Sequence, residues 1–174
     1  KEVRKFKRPG VVHCLAGSAL NTFREAKKRG HICVLERSCP HINFQDELLN
    51  EEVALLNLES IDTDNRSKSL ITRMLEEYKL ADKIVVCSSY TKNSFLERGF
   101  SENDLFMTPC PPAQFTLGKR RIQHPDTPLI FLSVGTNFLR KGFSYLVDAW
   151  KGIDPKKARL IIKGPLSEKC KNEL

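Results

Sequence analysis

Along the 174-residue chain, short apolar runs alternate with stretches of helical spacing, and this alternation constrains the fold more than any single residue does. Val11–Leu15 is an apolar run followed by Gly17 and Ser18, then by Leu20, Phe23, Arg24 and Ala26 at helical spacing, with Arg29–Gly30 as a stop. His31–Leu35 reads as a second strand and Glu36–His41 as the loop at its C-terminal end. From Asn43, a candidate cap, the spacing of Phe44, Leu48, Leu49, Val53 and Leu56 predicts an amphipathic helix. A second helix follows over Ser67–Leu80 through Leu70, Ile71, Met74, Leu75 and Tyr78. Ile84–Cys87 is a strand, Ser88–Ser89 caps a helix that Gly99 ends, and Leu105–Thr108 is a further strand.

Pro109, Pro111, Pro112, Gly118 and Pro125, with the basic triplet Lys119, Arg120 and Arg121, mark a linker over 109–127 between units at 1–108 and 128–174. The second unit opens with a continuous apolar strand, Leu129–Val134. A loop over Gly135–Lys141, a helix over Gly142–Trp150 and a strand over Arg159–Ile162 that runs to Gly164 complete the pattern. Strands alternating with helices specify an α/β class, with parallel sheets expected to be covered on both faces.

Charge narrows the partners. The 29 Lys and Arg against 21 Asp and Glu give a net charge of +8, which attracts phosphate-bearing ligands, nucleic acid or an anionic membrane surface alike. There is no interleaving of aromatic and basic residues and no nucleic-acid motif, so nucleic acid is not expected as a partner. The six cysteines form no CxxC pair, and only Cys39 with His41, or His13 with Cys14, approaches the spacing of metal ligands. Reduced, structural thiols and no bound metal are the expectation. No apolar run reaches the roughly 20 residues of a membrane span, and the basic start lacks the apolar segment of a signal peptide. A cytoplasmic location, peripheral at a membrane at most, is expected. The chain also lacks an initiator Met, and it reads as an internal piece of a longer protein.

In open α/β sheets, ligands bind where the C-terminal ends of strands meet helix N-termini, whose free amides attract anions. Three loops qualify here: Ala16–Ser18, Glu36–His41 and Gly135–Gly142. The third brings Arg140 and Lys141 to the mouth of a helix. Gly135 permits close backbone approach, Lys141 offers a compact charge and Arg140 a planar fork, a combination suited to a diphosphate. The same residues also read as an exposed basic turn between strand and helix.

The segment from Phe131 to Trp150, with its strand, Gly135, Lys141-Gly142 and the Leu146, Ala149 and Trp150 helix face, resembles the opening of the donor domain in family 4 glycosyltransferases. Ala81–Phe95 is similar to the last strand and helix of that family's acceptor domain. Val34–His41, followed by Gln45 and Glu51–Glu52, resembles the loop and helix that bring a histidine to the interdomain cleft. The resemblance spans about Val11 to Gly164. It implies two facing Rossmann-like domains in the GT-B arrangement, a nucleotide-sugar donor, a glycan or lipid-linked acceptor, and no obligatory metal or other cofactor. It further implies a catalytic, acceptor-side role for His41, which Glu36 and Arg37 would orient. Gly17 and Ser18 would lie on the acceptor side, and Lys141 and Gly135 would sit at the donor diphosphate.

The sequence departs from the family where Thr136 replaces a common arginine, for which Arg140 would substitute, and where the acidic pair of the donor domain would follow Leu174. On this reading the chain alone is inactive. Two alternatives stay open: a nucleotide- or sugar-phosphate-using enzyme on another doubly wound fold, and a non-catalytic or degenerate GT-B-like binding module.

Overall fold

The computed structural model describes residues 2–6, 8–57, 67–110, 127–136 and 139–164. The chain divides into two compact units, one formed by Lys1–Leu48 with Arg66–Pro112 and the other by Leu49–Asn65 with Ala113–Leu174. The division is therefore not linear in sequence, because one of its breaks falls inside a helix. Of the 109–127 linker, all but Pro109, Cys110 and Thr127 lies outside the described residues.

In the first unit, β1 (Val11–Leu15), β2 (Ile32–Arg37), β3 (Lys83–Val86) and β4 (Leu105–Met107) form a wholly parallel sheet in the order β1-β2-β3-β4. Helix α1 (Leu20–Lys27) connects β1 to β2, α2 (Ile42–Leu55) and α3 (Lys68–Leu80) stand between β2 and β3, and α4 (Ser89–Leu96) connects β3 to β4. The chain is thus α/β with a Rossmann-like parallel sheet. Two of the helix starts follow from the expected chemistry. The hydroxyls of Ser67 and Ser88 accept the amides of Leu70 and Thr91, each at 3.2 Å, which satisfies donors that a helix start leaves unpaired.

Three sequence expectations are corrected. Strand β2 continues through Glu36 and Arg37, which pair in register with Val85 and Val86, so these two residues are not in the loop. Helix α2 starts at Ile42 rather than Asn43, and Asn43 is not its cap. Instead the His41 ring accepts the Asn43 amide at 3.2 Å.

The third correction concerns coverage. One core joins Ala19, Phe23 and Ala26 of the α1 region, Met74 and Tyr78 of α3 and Phe95 of α4 to Cys33, Leu35, Ile84, Val86 and Leu105 of the sheet. The alternate residues Val11, Leu15, Ile32 and Phe106 are 51–65% exposed. Among the described residues, then, the helices cover one face only. The reason is topological, since right-handed crossovers that all step in one direction deliver their helices to the same side.

The second unit contains β5 (Leu129–Val134) and β6 (Ala158–Lys163), paired in parallel, with α5 (Phe143–Trp150) between them in sequence. Trp150 meets Phe131 edge to face at 5.2 Å between ring centroids, which fixes the sheet face that α5 covers. Ile130, Leu132 and Val134, on the opposite face, are 62–66% exposed.

Two carboxylates tie the first unit together. Asp82 accepts the Cys33 amide at 2.7 Å and the Lys27 ammonium at 2.5 Å, linking the start of β3 to β2 and to the end of α1. Glu77, wholly buried, accepts the amides of Gly17 at 2.5 Å, Ala19 at 2.8 Å and Leu20 at 3.0 Å. Replacing it by glutamine keeps the shape but turns one oxygen into a donor facing amide donors. Glu77→Gln is expected to lower the unfolding free energy by about 3 kcal/mol, read from urea denaturation. A variant as stable as the parent would refute the role given to this carboxylate.

Candidate functional site

The basic loop of the second unit is shaped by two glycines. Gly135 is buried at the end of β5, and a Cβ added there would stand 2.8 Å from Cγ of Lys141 and 3.1 Å from Cζ of Phe143. The stem of Lys141 therefore lies across the strand end, in space that only glycine leaves. Gly142 then takes a left-handed conformation at φ +65°, and its carbonyl accepts the Leu146 amide at 3.1 Å as α5 begins. Gly164, beyond β6, approaches even more closely, with the Gly135 carbonyl oxygen 1.7 Å from where its Cβ would be. Phe143 and Leu139 are buried beneath the loop, while Arg140, Lys141 and Thr136 are exposed. The structure thus brings Gly135, Arg140 and Lys141 together at the C-terminal end of β5 and the N-terminus of α5.

In the first unit, the Ala16–Ser18 loop is used internally. The amides of Gly17, Ala19 and Leu20, free donors at a helix start, are the three that Glu77 accepts. The Ser18 hydroxyl donates to the Leu15 carbonyl at 3.1 Å.

Glu36 and Arg37 are adjacent in β2 and so face opposite sides of the sheet. Glu36 pairs with His13 at 3.2 Å on the open face. Arg37 faces the helices and donates from Nε and Nη2 to the Pro40 carbonyl at 3.1 and 3.0 Å, and from Nη2 to Gln45 at 2.9 Å. Of the two, Arg37 is the residue that holds the backbone immediately before His41.

His41 is 3% exposed. Its amide donates to the Ser94 hydroxyl at 2.8 Å, and its ring packs on Tyr78, Phe95 and Phe100 with centroids 5.0, 5.1 and 5.7 Å away. Because Nδ1 accepts the Asn43 amide, the neutral ring carries its proton on Nε2. Burial, and then the Arg98 and Arg37 guanidiniums, push its pKa down to about 4 against an opposing pull from Glu47. His41 is therefore a neutral hydrogen-bond donor near pH 7 and a weak base. Beside it, burial drives the Tyr78 phenol up to about 12, which keeps that group protonated too.

Glu77, Ser94 and Gly164 were not singled out as site residues from the sequence. Glu77 left a signal, since it interrupts the apolar stripe Met74–Tyr78 with a charge. Ser94 left none, because its role depends on a residue 53 positions away. No family model, curated protein or solved structure matches the chain.

The depressed His41 pKa carries a sign. An unfolded histidine takes up its proton near pH 6.5, whereas folded His41 resists until about pH 4, so between these values the unfolded state binds more protons and stability is lost as the pH is lowered from 6.5 to 4. The loss approaches about 3 kcal/mol for this separation. The stability gap between the parent and His41→Phe should therefore narrow by that order from pH 7 to pH 4 in denaturant titrations. A gap independent of pH would contradict it.

Proposed function

We propose that this chain belongs to a glycosyltransferase that moves a sugar from a nucleotide-diphosphate donor to a glycan or lipid-linked acceptor, built on two facing Rossmann-like units in the GT-B arrangement. The observation that carries the reading is the Gly135–Lys141 geometry. A lysine stem lies across a strand-end glycine, with Arg140 adjacent, at the start of a helix in a parallel α/β unit. Such a loop offers cations and helix-start amides to the diphosphate that departs as the sugar is transferred. The resemblance of the 131–150 segment to the family's donor domain supports the same reading.

On this proposal Arg140 and Lys141 stabilise the leaving diphosphate, Arg140 taking the place of a cation at Thr136, without an obligatory metal. His41 acts on the acceptor side through its Nε2–H as a donor rather than by accepting a proton, which suits its low basicity, and Arg37 positions it through Pro40. The intact transferase is a cytoplasmic enzyme, peripheral at an anionic membrane where its acceptor is lipid-linked.

In the natural protein that contains this sequence, the double change Arg140→Ala and Lys141→Ala is expected to lower kcat/KM for sugar transfer by about 100-fold or more. Release of nucleoside diphosphate and transfer of labelled sugar measure this. Unchanged kinetics would sink the assignment, and donor hydrolysis or binding without any transfer would favour a binding module.

A further inference from the structure

The first unit also holds a cavity of about 380 Å³ whose lining includes His41, Leu75, Tyr78, Lys79, Arg98 and Phe100. It is not formed by the Gly135–Lys141 loop. Its lining carries two cations and no carboxylate. Glu47 and Glu76, which pair with Arg98 and Lys79, are outside the lining. Arg98 engages Glu47 through one terminal nitrogen, and its guanidinium sits 5.2 Å from the Phe44 ring centroid. An arginine has five N–H donors and a lysine three, so each keeps donors for a ligand.

Two further polar groups, on His41 and Tyr78, belong to the cavity lining. The Nε2–H of His41 enters no hydrogen bond among the described residues, and the buried hydroxyl of Tyr78 makes none of normal geometry there. The His41 ring, in a buried residue, and the Arg98 guanidinium, whose side chain is 21% exposed, can only donate at these positions and so favour an acceptor, while the Lys79 side chain is 73% exposed and adds a solvated positive charge. The ring is kept neutral first by burial and then by the positive potential from Arg98 and Arg37, and that potential also favours an anion. Leu75 and Phe100 give one part of the wall an apolar surface. The volume falls in the range of small-molecule sites and exceeds that of a bare phosphate.

We propose that this cavity binds a small oxyanion, a phosphate monoester or a carboxylate, held by Arg98, Lys79 and the Nε2–H of His41, with the ligand's apolar body against Leu75 and Phe100. The inference shares the His41 Nε2–H with the sugar-transfer reading, in which the cavity would be the acceptor side, but it rests on the cavity alone. Its test contains no nucleotide-sugar, so the two stand or fall separately.

The probes are phenyl phosphate and benzoate, which share an apolar body and differ in the oxyanion, with benzyl alcohol as the uncharged control, at constant ionic strength. Calorimetric titration of the 174-residue chain is expected to give saturable binding of one or both anions and none of the alcohol. Binding of only one identifies the oxyanion. The double variant Lys79→Gln and Arg98→Gln is expected to raise Kd tenfold or more. Because that variant also loses two surface ion pairs, the unsubstituted chain supplies a second readout: a saturable shift of the His41 Nε2–H resonance. No saturable binding of either anion, a Kd changed less than threefold by the double variant, or an unmoved His41 resonance at saturation would overturn the proposal.

Discussion

The first unit depends on one buried carboxylate. Glu77 projects from α3 and accepts three amides at the start of α1. An ionised carboxylate buried without partners is strongly destabilising, while three charge-assisted hydrogen bonds to donors that the helix start would otherwise leave unpaired compensate it. The contact joins the strand-end turn after β1 to a helix about 60 residues later. It brings α1 and α3 into one layer, and the surface they bury includes Phe23, Met74 and Tyr78. Tyr78 in turn forms part of the aromatic group around His41. The geometry of the histidine is thus downstream of Glu77, and the amides of Gly17 and Ala19, a ready anion site in the abstract, are occupied by the protein's own acid.

The second unit rests on a steric condition instead. Gly164 lets the end of β6 approach the Gly135 backbone where a Cβ would collide, and Gly135 leaves room for the side chains of Lys141 and Phe143. That approach, with Phe143 and Leu139 buried below, sets the Arg140–Lys141 loop at the C-terminal end of β5. The two units show different ways to shape a strand-end loop: one fills it with an internal carboxylate, the other clears it with glycine and leaves cations exposed. This contrast is why the nucleotide-sugar proposal centres on the second.

Much of the fold was legible because it is local. The strands β1, β3 and β5, the Ser88 cap and the stop at Gly99 all follow from residue types acting on their neighbours within a few positions. The end of β2 was not legible, because Glu36 and Arg37 look like loop residues until β3 pairs with them. Their separate fates, one facing His13 and the other Pro40, follow from strand alternation once the pairing is known. The cap of α2 was misplaced because a histidine ring took the role that Asn43 offered.

By itself the sequence determined the α/β class, the order of strands and helices, and the chemistry of the loop from Gly135 to Gly142, since periodicity, breakers and charge are written residue by residue. Only the tertiary structure decided that all four strands of the first sheet step one way and leave Val11, Leu15, Ile32 and Phe106 uncovered. It alone decided that Glu77 closes the Gly17 turn and that His41 is a neutral donor among aromatic rings. These outcomes depend on groups distant in sequence, where burial and hydrogen-bond partners exist only after the helices have packed on the sheet.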